Sequence, residues 1–431
     1  MTDFRGDHAV VIGAGMAGLL TAVALRSRYP SVTVIDRDAL PDHPAPRRGV
    51  PQSRQVHAML ARGLQEIEEL LPGFSDDLRA AGAPFGDPLR DMHWYIGGHQ
   101  LQPAASGIVG VGASRPLVEY VVRRRLAEFP GIRILPSLDV VGLTSTADRR
   151  HVTGVRTVSR TDSTESALPA ELVVDAAGRG SRSPAWLWDL GYPAPEQETL
   201  RVNLVNITRH YRRDPSDLGG RIGTSVNYYP GQLHGGFALA QEGDRFAVVV
   251  GGMLGADPPM DHAAMLDWVK PLASPDIYDI IRDAEPLDDP VKMRFAANTR
   301  WRYERLPRLP EGFLVTGDAM CSFNPIYAQG MTVAAVEATL LRELLAEGSD
   351  ALPERFFRRA AEAIETPWTV AVGNDLRFPE AVGFRPPEHE ALNAYWEKFH
   401  AAAASDPELS RAFIKVMHMT EPPSSLFGRI G

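Results

Sequence analysis

The chain is poor in several residues on which whole classes of chemistry depend. It holds one cysteine, Cys321, in 431 residues. A single thiol excludes an intramolecular disulfide framework and a cysteine-based zinc site. It fits a reduced, cytoplasmic setting and reads as a small buried hydrophobe beside a binding loop. Lysine is absent before Lys270, no Lys/Arg-rich tract stands out, and the formal net charge is -9. That balance argues against nucleic acid as the main partner. The local basic cluster in "RPLVEYVVRRRL" (115–126) reads as a solvated helix face. No apolar run approaches the roughly 20 residues of a membrane span. The first residues show no charged leader followed by an apolar stretch and a cleavage site, so no export is expected. There is no H-E-x-x-H and no Ser-His-Asp set in a hydrolase context.

What is present is ordinary in amount and informative in order. Hydrophobic residues make up 44% and charged residues 23%, as in a globular protein. The length allows two or three domains, or one discontinuous domain carrying insertions.

The stretch "HAVVIGAGMAGLLTAVALRSRYPSVTVIDRD" is a strand over 8–12, a glycine turn, a helix over 16–28 and a second strand over 32–35 ending at Asp36. A Pro-rich loop over 38–52 follows. Helices are expected over 55–71 and 115–129, the first carrying His57. "GIRILPSLDVVGLTST" and "VTGVRTVS" read as strands of one small sheet. Residues 170–191 read as a buried strand, a Gly-rich turn and a helix. "LRVNLVNITRHYRR", "TSVNYYP", "GGFALAQ" and "RFAVVVGG" then suggest an inserted antiparallel sheet. "GFLVTGD" is again a buried strand, and a helix is expected over 332–345.

Two places carry chemistry. Gly13-Ala14-Gly15-Met16-Ala17-Gly18 is a G-x-G-x-x-G between a strand and a helix. The first glycine permits the tight turn, Gly15 admits a pyrophosphate to the backbone, and Gly18 lets helix and sheet close up. The helix N-terminus adds free N–H groups and a partial positive charge. Asp36, at about the expected 20-residue distance, can accept ribose hydroxyls. This unit alone fits FAD or NAD. The second place is "GDAMCSFNPIYAQGMTVAAVEA", starting at Gly317. It puts Asp318 at a strand's carboxyl edge, where a polyol can be held. Pro325 has no N–H to leave unsatisfied against a flat ring. Gly330 allows close approach, and the N–H groups at Gly330-Met331 face the ring's electron-rich edge. A ribityl chain and an isoalloxazine would meet these needs.

"GAGMAG" with Asp36, Arg115 opening "RPLVEYVVRRRL", "AAGRGSRSP" and "GDAMCSFNPIYAQGM" together resemble the class A flavin monooxygenases, the p-hydroxybenzoate hydroxylase fold group. The resemblance covers roughly 8–375. "RRGVPQSRQVHAMLARG" is also similar to actinobacterial natural-product tailoring enzymes, including polyether-pathway flavin epoxidases. The resemblance implies an α/β fold: a Rossmann-like FAD-binding domain, an inserted antiparallel-sheet substrate domain and C-terminal helices. The FAD-binding domain is expected over 1–75, 105–190 and 295–375, the substrate domain over 76–104 and 191–294, and the helical segment over 376–431. By position, Gly13, Gly15 and Gly18 would hold the FAD pyrophosphate, with Met16 and Ala17 beside it. Asp36 and Arg37 would meet the adenosine side, and Asp318 the ribityl or diphosphate. Pro325 and the Gly330-Met331 backbone would meet the ring. Arg48 and Arg115 would lie along the diphosphate or ribityl. Candidate pocket liners, chosen by strand position, are Met92, Trp94, Tyr229, Phe237, Met253 and Phe295.

The resemblance implies that reduced flavin reacts with O2 to a C4a-hydroperoxide, which passes one oxygen to an apolar aromatic or alkene-containing small molecule. Hydroxylation and epoxidation both stay open, and no catalytic side chain is named. The alternative is an FAD-dependent reductase or dehydrogenase that does not use oxygen. One departure concerns the electron source. The family's Asp-Gly is Ala177-Gly178 here, with Asp175 the nearest acid and Ser181 in place. NAD(P)H and a separate flavin reductase therefore both stand as donors. "WLW" at 186–188 resembles the W-x-W of flavin halogenases, but it reads as packing, and the absence of lysine before Lys270 removes the lysine a halogenase would use.

Overall fold

A computed structural model describes residues 7–385, 387 and 389–430. The expected FAD-binding and C-terminal segments also include residues 1–6, 386, 388 and 431, which lie outside the described residues. The organising element is a five-stranded parallel sheet in the order Phe313–Val315, Leu172–Asp175, His8–Ile12, Ser31–Ile35, Ile132–Leu135. Four of its strands are short apolar runs buried on both faces, as a sheet covered by helices requires, and the edge strand Ile132–Leu135 is only half-buried. Helix Met16–Leu25 packs against helix Gly330–Glu347, and both are buried along most of their length.

Because the strands run parallel, their carboxyl ends share one edge. Gly13, Asp36, the turn after Asp175 and Gly317-Asp318 all emerge there. Ligands of open α/β sheets bind outside this edge. Strand Ile132–Leu135 belongs to this sheet and not to a small sheet with its successors. It pairs with Ser31–Ile35, and the chain then turns into a separate antiparallel meander of Leu138–Ser145, Val152–Ser159 and Glu165–Pro169.

The inserted sheet has eight strands, with Glu196–Arg212 and Val291–Arg302 as its longest pair, near one edge. A register shift between Arg201 and Leu204 accompanies a left-handed Asn203, as at a bulge. The sheet is not purely antiparallel, since Gly223–Val226 runs parallel to Met92–Ile96. Its edge pairs Thr299 and Arg300 with Ser322 and Cys321, which ties it to the loop that follows Asp318. Helices His389–Ala403 and Pro407–Met417 pack on the Met92–Ile96 side through Phe399, Leu409 and Phe413.

One expected helix starts late. The helix expected over 55–71 spans Ala61–Leu70. Pro51 opens a short 3₁₀ turn to Arg54, and Ala58–Met59 pairs with Gly110–Gly112 as a strand. His57 therefore lies in a loop. No helix among the described residues is long and apolar enough to cross a membrane.

Candidate functional site

A continuous cavity of about 780 Å³ runs from the carboxyl edge of the parallel sheet to the face of the eight-stranded sheet. That volume lies within the range of cofactor and ligand sites. Gly13, Gly15, Met16, Ala17, Asp36, Arg37, Arg115, Asp318, Pro325, Gly330 and Met331 all line it, although they come from four separate parts of the chain.

Backbone shape explains the first turn. Gly13 has φ +100°, and its N–H donates to Ile35 O at 2.7 Å. A Cβ on Gly18 would sit 1.8 Å from Gly13 O, so helix and turn close only without a side chain. Gly15 differs: a Cβ there would meet only the guanidinium tips of Arg115 and Arg47, each at 3.9 Å. Arg115 is held by its Nε, which donates to Glu119 Oε1 at 2.7 Å. Its terminal nitrogens have no acceptor among the described residues, yet the side chain is only 10% exposed. A buried cation aimed at a bare glycine beside a helix N-terminus has the chemistry of an anion cradle.

Arg47 enters the cavity where Arg48 was expected. Its terminal NH1 donates to Asp36 Oδ1 and Oδ2 at 3.2 and 3.1 Å and to Asp38 Oδ2 at 3.2 Å. Its NH2 donates to Ala14 O at 2.7 Å, and its Nε to Glu119 Oε2 at 3.2 Å. Arg48 is exposed and does not line the cavity. Adjacent arginines in a loop point to opposite sides, and the sequence gives no period by which to choose between them. Burial raises the Glu119 carboxyl, but Arg115 and Arg47 outweigh it and hold the group below its ordinary range. Asp36 also accepts from Ala14 N at 2.6 Å and Asp38 N at 2.8 Å, so it is already well supplied with donors. Arg37 stands at the rim, its Nε 3.8 Å from Asp139.

At the second turn, Thr316 N donates to Asp175 O at 2.9 Å, bringing the two strand ends together. Glu337 reaches up from helix Gly330–Glu347 and accepts from Thr316 Oγ1 at 2.5 Å and Gly317 N at 2.7 Å. Burial pushes its carboxyl up to about 7. Asp318 has no hydrogen-bond partner among the described residues and lines the cavity. Burial raises its pKa, while Arg179 and Arg115 pull it back. A Cβ on Gly330 would stand 3.5 Å from Asp318 Oδ1, so helix start and carboxylate face one another.

Pro325 opens a short turn to Tyr327, fixed from below by Asp375. Asp375 accepts from Tyr327 OH at 2.7 Å, Asn298 Nδ2 at 2.7 Å and Asn324 Nδ2 at 3.0 Å. This network, spread over 298 to 375, left no local pattern in the sequence. Asp175 turns inward: it accepts from Ala177 N at 2.8 Å and from Ser181 and Ser183 hydroxyls, and so shapes the Gly-rich turn.

Met92, Trp94, Phe237 and Phe295 line the far end of the cavity. Tyr229 does not, and its place is taken by Tyr228. Met253 is fully buried and packs with Leu200, Val202 and Leu204. Strand alternation sets which of two neighbours faces in, and irregular backbone past Val226 shifts it by one. His57 lines the cavity, as do Met417 and His418 from the C-terminal segment. Trp186 is buried in the core and also reaches the cavity wall, whereas Trp188 is 70% exposed, so the packing expected of the pair holds for the first only. Cys321 is buried.

A family model described as an FAD binding domain matches residues 7–352. Protein Rv3254 of Mycobacterium tuberculosis is 32% identical over 432 residues, covering 95% of this chain and 89% of that protein. Kynurenine 3-monooxygenase of Salinispora arenicola is 26% identical over 470 residues, covering 99% and 91%. The crystal structure of p-nitrophenol 4-monooxygenase PnpA from Pseudomonas putida matches with a TM-score of 0.64 at 15% identity, over 97% of this chain and 99% of that one. That last likeness speaks for the fold.

Proposed function

The chain belongs to the FAD-binding-domain family of class A flavin-dependent monooxygenases, and on that footing we propose that it inserts one oxygen atom from O2 into an apolar aromatic or alkene-containing small molecule, by hydroxylation or epoxidation. The observation that carries this reading is one continuous cavity, charged at one end and apolar at the other.

The residues present fit FAD. Gly15, with the Arg115 and Arg47 tips and the amides of helix Met16–Leu25, would hold the diphosphate. Asp36 and Arg37, with Leu138 and Val140 beside them, would meet the adenosine. Asp318 would accept from the ribityl hydroxyls. Pro325 and the first amides of helix Gly330–Glu347 would meet the ring. Bound and reduced, FAD supplies the activated oxygen, so no protein nucleophile is needed.

The chain's own task is to orient the substrate and to keep water out. Met92, Trp94, Phe237 and Phe295 do this at the far end, and the C-terminal segment closes one side through Met417 and His418. On the same reading, 1–75, 105–190 and 295–375 form the FAD-binding unit, 76–104 and 191–294 the substrate unit, and 376–431 a closing helical segment. Electrons come from NAD(P)H or from a separate flavin reductase. With Asp175 turned inward and Ala177-Gly178 in place of Asp-Gly, the turn offers no free carboxylate to a pyridine nucleotide.

The test supplies the FAD-loaded protein with NADH, NADPH or an added flavin reductase, ¹⁸O2, and a panel of neutral aromatics and alkenes. One ¹⁸O atom in a product is expected. Turnover of the same panel under strict anaerobiosis contradicts the reading.

A further inference from the structure

Resting on the monooxygenase reading of this cavity, we propose that its substrate is an uncharged molecule with a hydrogen-bond-accepting oxygen, and that the Nε2–H of His418 donates to that oxygen.

The first support is where charge lies on the wall. Every Asp and Arg lining the cavity comes from the dinucleotide side: Asp36, Arg37, Arg47, Arg115 and Asp318, then Asp139 of the meander and Arg179 and Arg182 of the Gly-rich turn. Among the described residues, the eight-stranded sheet contributes none. Its polar wall groups face each other: Ser225 Oγ donates to Asn227 Oδ1 at 2.7 Å, and Tyr228 OH stands 3.5 Å from Asn206 Oδ1. Arg179 lies over the Phe295 ring, 5.5 Å from its centroid. An ionised substrate deep against this sheet would be desolvated without a partner from it, which is strongly unfavourable.

The second support is the state of His418, which caps helix Pro407–Met417 and packs edge-on to Trp94 with ring centroids 6.5 Å apart. Its Nδ1 accepts from Ala61 N at 3.1 Å, so the ring's proton sits on Nε2. Burial holds the imidazole neutral, lowering its pKa to about 4, against a weak opposing pull from Asp87. The side chain lines the cavity, the residue is 5% exposed, and Nε2–H has no acceptor among the described residues. An unpaired N–H on a cavity wall is open to whatever fills the cavity, so a ligand oxygen can satisfy it. His57 is its opposite. Its Nδ1 donates to Gln55 O at 3.0 Å, leaving Nε2 bare, and it sits on the Arg115 side, where burial and that cation lower its pKa to about 4.

The experiment titrates the FAD-loaded protein with naphthalene, 2-acetylnaphthalene and 2-naphthoate, reading the visible absorption of the flavin. The ketone is expected to bind roughly five-fold tighter than naphthalene, the worth of one net hydrogen bond. Naphthoate is expected to bind weakest. In His418→Asn, whose carbonyl can still accept from Ala61 N, the preference for the ketone should vanish while naphthalene affinity holds. Tightest binding by naphthoate, equal binding of the two neutral probes, no binding of any probe, or a preference that survives His418→Asn each overturns the proposal. The wild-type ranking decides even where the variant fails to fold. A protein that takes up no FAD overturns the flavin reading and this proposal with it; one that takes up FAD but ranks the probes adversely overturns this proposal alone.

Discussion

At the dinucleotide end the cavity wall is made of turns at strand ends, bare glycines, helix starts and balanced buried charges. At the far end it is made of side chains projecting from a broad sheet, with the neutral imidazole of His418 beside them. The first kind of wall recognises a charged group through backbone amides and fixed cations, so its residue types are dictated almost uniquely. The second kind excludes water and shapes a space, which many combinations of Met, Phe, Trp and Val achieve. A family can therefore hold the first constant while its substrates change at the second.

The sharpest way to test this contrast lies inside one motif. Gly18→Ala should cost more than about 4 kcal/mol and leave little folded protein, because its Cβ would stand 1.8 Å from Gly13 O. Gly15→Val has room, its Cβ meeting only arginine tips at 3.9 Å. Compared FAD-free, it should keep the wild-type midpoint in thermal denaturation, and it should lose at least about 100-fold in FAD affinity. A well-folded Gly18→Ala, or a flavin-loaded Gly15→Val, would break the division between closing the fold and cradling an anion.

The neutral imidazole at the far end makes a pH prediction. Burial depresses His418 from 6.5 to about 4. The unfolded chain therefore takes up this proton first. The stabilisation is complete above the unfolded value and is lost as pH falls through the folded one. His418 alone should cost up to about 3 kcal/mol between those limits, and His418→Asn should flatten the loss. Denaturant midpoints from pH about 7.5 down to about 4.5 measure it. Glu337, with its raised carboxyl, works in the opposite sense over the same range, so the difference between the two proteins is the test: a His418→Asn protein that follows the wild-type curve would mean that the ring is charged in the fold.

The smallest effect separates two neighbours. Arg115→Ala should weaken FAD by roughly 10- to 100-fold, the worth of a charge-assisted contact, whereas Arg48→Ala should leave it unchanged. FAD titration of both variants decides, and a larger loss at Arg48 would contradict the placement of Arg47.

The first Gly-rich turn, Asp36, and the stretch from Asp318 to Met331 were legible because each is a local pattern with a local cause. Arg47 was not, since nothing in "PRRG" says which arginine a loop turns inward. Tyr229 and Met253 missed the cavity for a related reason: strand alternation fixes the face only while the strand stays regular. The late helix start at Ala61 hid behind an unbroken helical pattern, because the pairing of Ala58–Met59 with Gly110–Gly112 is long-range. His418 left no signal at all. Its partners are Ala61 and Trp94, more than 300 residues earlier in the sequence.

A density map of the protein soaked with FAD and 2-acetylnaphthalene tests the central claim most directly. The expected map shows adenine beside Leu138–Val140, diphosphate over Gly15, and the flavin ring between Pro325 and Gly330. The ketone should lie against Phe237 and Trp94 with its oxygen on His418. A flavin running the other way along the cavity, or density for neither molecule, would contradict it.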